Sequence, residues 1–102
     1  MSDVETRIDL PLAEIAALCR RYQVLELSLF GSALTDDFGA ESDLDLLVAF
    51  EPGTRVTFIT FGRLEEALES LLGRKVDIVP KGGLKPLIRE SVLASARVLY
   101  AA

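Results

Sequence analysis

The chain has 102 residues, half of them apolar, and a formal net charge of −5. That length suits a single domain spanning 1–102 and leaves no room for a second. The acidic balance argues against direct nucleic-acid binding, which relies on a basic patch to neutralise phosphates, but not against a nucleotide, whose phosphates metal ions can match.

Pro11 is a good first-turn residue, and Asp9 nearby favours a helix start. Leu12, Ile15, Ala16 and Cys19 recur at helical spacing, so the pattern predicts a helix from about Leu10 to Tyr22. Cys19 falls within that apolar pattern and reads as a core residue. As the single cysteine it excludes an internal disulfide and agrees with a reducing, intracellular setting. Val24 to Phe30 alternates, with Leu25, Leu27 and Leu29 on one face and Glu26 and Ser28 on the other, the pattern of a half-buried strand. Gly31-Ser32 breaks it. Ala33 to Ser42 is rich in Asp, Gly, Ser and Thr and reads as a short turn or helix plus a loop.

Asp43 to Phe50 carries the strongest strand pattern. Leu44, Leu46, Val48 and Phe50 face one way, and Asp43, Asp45, Leu47 and Ala49 the other. After Glu51-Pro52-Gly53 a helix is expected over Arg55 to Leu72. Phe61, Leu64, Leu68, Leu71 and Leu72 share one face, Glu65, Glu66 and Glu69 fall on the solvent side, and Gly73 is a C-terminal cap. Lys75 to Pro80 is a short strand with Asp77 opposite Val76 and Ile78. Pro86 opens a last helix with Leu84, Leu87, Ile88 and Val92 along one side, and Val98 to Tyr100 adds a final short strand. The class is α/β or α+β, a small mixed sheet with helices covering one face.

Histidine is absent. Chemistry must therefore rest on carboxylates, hydroxyls, backbone amides or Lys and Arg. No apolar run reaches spanning length and no leader-like N-terminus is visible, so a soluble, cytoplasmic protein without a membrane partner is expected. A domain this small buries a modest fraction of its surface. A partner, a ligand or self-association can therefore contribute to its stability.

Asp43 and Asp45, two apart on a strand, project from one face about 6–7 Å apart along the backbone. Asp77 lies on the less apolar face of its own strand. If the two strands are neighbours in register, three carboxylates converge, and a hard divalent cation with oxygen ligands relieves their repulsion. Mg²⁺ takes one or two carboxylates and completes its shell with water and substrate phosphates. Two such ions about 3.5–4 Å apart stabilise attacking and leaving oxygens in phosphoryl transfer. A third carboxylate serves as ligand or as base for the incoming hydroxyl. Glycine at Gly31 allows close backbone approach to a phosphate, and the Ser32 hydroxyl and following amides can donate to it. Asp-x-Asp or Gly-Ser alone usually marks a solvated strand end or a turn; their order along the chain raises the functional reading.

Leu29-Phe30-Gly31-Ser32, ten residues, then Asp43-Leu44-Asp45-Leu46 resembles the signature of the DNA polymerase β-like nucleotidyltransferase superfamily. Gly73-Arg74-Lys75-Val76-Asp77-Ile78-Val79 is similar to the strand that carries its third Asp. The short length resembles the minimal nucleotidyltransferases of bacteria and archaea, antitoxin-like partners of HEPN-domain proteins. The resemblance implies a nucleotidyltransferase fold, Mg²⁺ (two ions) on Asp43, Asp45 and Asp77, and nucleotide phosphates against Gly31 and Ser32. It implies Asp77 as the group that activates the acceptor, ATP as donor, and a tyrosine of a HEPN-type partner as acceptor. Many minimal members continue Gly-Ser-x-Ala-Arg-Gly; here Ala33-Leu34-Thr35-Asp36-Asp37 follows, without the Arg. Two other readings remain: a non-catalytic antitoxin that masks its partner, and a small-molecule nucleotidyltransferase of the aminoglycoside-modifying kind.

Overall fold

The computed structural model describes residues 10–31 and 43–102. Its first helix, α1, runs Leu12–Arg21. It begins two residues later than the periodicity suggests because Pro11 takes the N-cap position. Ile15 and Cys19, four residues apart and so on one face, are its buried residues. Glu14 in the first turn and Arg20 and Arg21 in the last suit the helix dipole. Gln23, with φ of 58°, turns the chain into strand β1, Val24–Phe30.

Strand β2, Leu44–Phe50, runs antiparallel to β1. The alternation read from its sequence holds: Leu44, Leu46 and Val48 are buried in the core. Strand β1 departs from simple alternation. Its register shifts between Val24 and Glu26, a bulge at Leu25. The bulge turns Val24 into the core and leaves Leu25 38% exposed, while Leu27 and Leu29 stay buried as expected.

Helix α2 covers Phe58–Leu72. It starts at Phe58 rather than Arg55 because Thr57 is the N-cap, its hydroxyl accepting the Thr60 N–H at 3.1 Å. Gly73 closes the helix in the left-handed conformation, φ 69°, as its position foretold. Leu64 and Leu68 are buried, and Phe61, Leu71 and Leu72 pack around the core. Strand β3, Val76–Pro80, then lies parallel to β2, the pairing for which an intervening helix is needed.

A 3₁₀ turn at Lys81–Gly83, helix α3 at Pro86–Ser95 and strand β4 at Arg97–Ala101 complete the chain. The mixed sheet has the order β3-β2-β1-β4. Helices α1 and α2 pack on its apolar face and on each other. Helix α3 has no buried residue: Leu84, expected on its inner side, is buried ahead of the helix, while Leu87 is 97% exposed. Lys81 Nζ reaches Glu26 Oε1 at 2.6 Å, tying the turn after β3 to β1. Among the described residues no helix is long and apolar enough to cross a membrane.

Candidate active site

The register of β2 against β3 builds the site. Leu44 pairs with Val76, Asp45 with Asp77 and Leu46 with Ile78. Paired residues of adjacent strands point to the same side, and strands lie about 4.8 Å apart. With Leu44, Leu46, Val76 and Ile78 in the core, Asp45 and Asp77 stand side by side on the opposite face. Asp77 is exposed and Asp45 half-buried. Asp43 is exposed and comes one residue before β2. The Leu44 N–H donates to the Lys75 carbonyl at 3.0 Å, so the strand pairing reaches to the edge of Asp43.

Gly31 closes the site from the end of β1. Phe30 pairs with Asp45 across the β1–β2 ladder, and Gly31 follows it with φ of 76°. A Cβ at residue 31 would collide with Asp45 Oδ2, lying also 3.2 Å from its Cγ and 3.3 Å from its Cβ. The sequence suggests a glycine that admits a phosphate. The structure gives it a further reason, room for the Asp45 carboxylate, together with a backbone conformation that side chains disfavour. Ser32 and the Ala33-Leu34-Thr35-Asp36-Asp37 stretch lie outside the described residues.

Glu69 belongs to this neighbourhood and was missed by the sequence pattern, which puts it on the solvent side of α2. Its Oε2 accepts the Val76 N–H at 3.1 Å in a partly buried bond. The available signal was its place one helical turn before the Gly73 cap, where a side chain can meet the start of the next strand.

Cys19 lies in the core, away from these carboxylates, as expected. Burial pushes its thiol up from 9.0 to about 11, with Arg20 opposing in part, so it is no nucleophile.

Asp45 and Asp77, on neighbouring strands, offer carboxylate oxygens of the kind a hard cation takes. Among the described residues no three carboxylate or thiol side chains are gathered closely enough to hold a metal ion. An open set of oxygen donors still fits Mg²⁺, which takes few protein ligands and draws the rest from water and phosphates. The absence of a side chain at Gly31 leaves room for the Asp45 carboxylate.

Comparison with known proteins identifies the family and the fold. The profile of the nucleotidyltransferase domain family matches residues 15–99. The chain is similar to protein adenylyltransferase MntA of Thermococcus cleftensis, 42% identical over 76 residues that make up 74% of this chain and 75% of that protein. It is also similar to a solved structure described as a candidate minimal nucleotidyltransferase: 43% identity, TM-score 0.71, covering 93% of this chain and 94% of that one. A complex of a tri-AMPylated HEPN toxin with an MNT antitoxin from Shewanella oneidensis shares the fold at 22% identity and TM-score 0.64, covering 89% of this chain and 70% of that one.

Proposed function

The chain belongs to the nucleotidyltransferase domain family and is a nucleotidyltransferase, and we propose that it moves AMP from ATP onto a tyrosine of a HEPN-type partner, acting as an antitoxin. The observation that carries this reading is the side-by-side placement of Asp45 and Asp77 against the cleared space at Gly31. The T. cleftensis relative named for protein adenylylation and the S. oneidensis complex of an AMPylated toxin with its antitoxin support a protein acceptor of the HEPN kind.

Asp43, Asp45 and Asp77 would hold Mg²⁺, as two ions, and the metal supplies charge neutralisation for the phosphate oxygens. The Gly31 backbone and Ser32 receive the phosphates. The acceptor hydroxyl oxygen attacks the α-phosphorus and its proton passes to Asp77. The bond from that phosphorus to the α,β-bridging oxygen breaks, and pyrophosphate leaves with the electron pair. The cytoplasm, where ATP is plentiful, suits the reaction.

The test incubates the protein with ATP, Mg²⁺ and the neighbouring gene's product, then maps the partner by mass spectrometry. An adenylylated tyrosine is expected; an unmodified partner rejects the reading. A second reading, masking without chemistry, draws on the acids Asp36 and Asp37 where a phosphate-binding cation would help. In that case Asp45→Ala leaves neutralisation of the partner unchanged.

A further inference from the structure

We propose that Glu69 is a positioning residue for Asp77, acting through the backbone of Val76. The proposal rests on the nucleotidyl-transfer reading of the carboxylates.

Strand β3 is an edge of the sheet. On its inner side the Lys75 carbonyl accepts the Leu44 N–H. In such a strand successive residues turn their amides alternately inward and outward, so the Val76 N–H points away from β2 and would otherwise meet only water. Glu69 Oε2 takes that N–H at 3.1 Å. The Glu69 carbonyl also accepts the Gly73 N–H at 2.9 Å. One residue thus holds both ends of the turn from Gly73 to Val76, and Asp77 follows directly.

A carboxylate accepting a backbone amide makes a charge-assisted bond, stronger than a neutral one. It fixes the outer side of β3 at the residue before Asp77, while β2 fixes the inner side. The direction of the Asp77 side chain is therefore set from α2 as well as from the sheet. An acceptor-activating group misplaced by about 1 Å can cost about a hundredfold in rate. The bond to a strand amide explains why an acid is useful near the C-terminal end of α2, where the helix dipole disfavours it.

The experiment compares wild type, Glu69→Ala and Glu69→Gln for AMP transfer from ATP, below the unfolding midpoints of all three. Hydrogen exchange at the Val76 amide is followed in parallel. Glu69→Ala is expected to lower kcat about tenfold or more, because Asp77 is displaced. Its Val76 amide should exchange faster. Glu69→Gln keeps an acceptor oxygen and should restore both readouts to near wild type. Full kcat in Glu69→Ala, or a glutamine variant no better than alanine, overturns the proposal. Wild type that transfers no AMP overturns the nucleotidyl-transfer reading itself and this inference with it, an outcome plainly distinct from a silent Glu69→Ala.

Discussion

Gly31 and Asp45 meet across the β1–β2 pair so closely that a side chain at residue 31 would occupy the space of the Asp45 carboxylate. Gly31→Ala therefore carries two penalties, the collision and a left-handed backbone at φ 76°. The backbone penalty is about 1–2 kcal/mol, and the collision, with the end of a side chain that can turn aside, adds up to about 1 kcal/mol. Denaturant unfolding should show a loss of about 1–3 kcal/mol, and AMP transfer should fall with it. Wild-type stability in the alanine variant would show that the space is not as tight as described.

Asp77→Asn removes one of two like charges that stand directly opposite each other. Like charges so placed cost roughly 0.2–1 kcal/mol. In metal-free buffer at neutral pH the variant should be as stable as wild type or up to about 1 kcal/mol more stable. With the proposed role of Asp77 as acceptor-activating group, transfer should drop by about a hundredfold. A stability loss with activity intact would contradict the placement.

Thr57 caps α2 at the end remote from Gly73 and β3. The 15-residue helix separates the two ends by about 22 Å. Thr57→Ala should cost about 1 kcal/mol of stability and leave kcat and KM for ATP unchanged. A kinetic effect without a stability effect would be inconsistent with a purely capping role.

Cys19 gives a pH signature. Its folded thiol titrates near 11, above the unfolded value of 9.0. Folding thus favours the protonated form. That contribution is fully present below pH 9 and is lost as pH rises through about 11. Unfolding free energy should decline over that window, and Cys19→Ala should flatten the decline. A thiol reagent at pH 8 should label the native protein slowly and the unfolded protein fast. Rapid native labelling would show Cys19 to be accessible.

The parts of the fold legible in the sequence were those set by local chemistry. The two-residue alternation of β2, the Gly73 cap and the spacing of Ile15 and Cys19 each follow from neighbours in the chain. Three features were not legible because they depend on distant partners. The bulge at Leu25 arises where β1 pairs with β2, and no residue within β1 marks it. The Glu69–Val76 bond joins a helix face to a strand edge, whereas helical periodicity reports only burial against polarity. The pairing of Asp45 with Asp77 is a matter of register between strands separated by α2. A slip of one residue would have sent one of those carboxylates to the other face.

The most direct test uses ATP labelled at either the α- or the γ-phosphate, with Mg²⁺ and a HEPN-type protein as the proposed acceptor. The account predicts that only the α-label reaches the partner, with pyrophosphate released. Asp45→Asn should reduce transfer by about a hundredfold or more. Transfer of the γ-label, or equal transfer by wild type and Asp45→Asn, would contradict it.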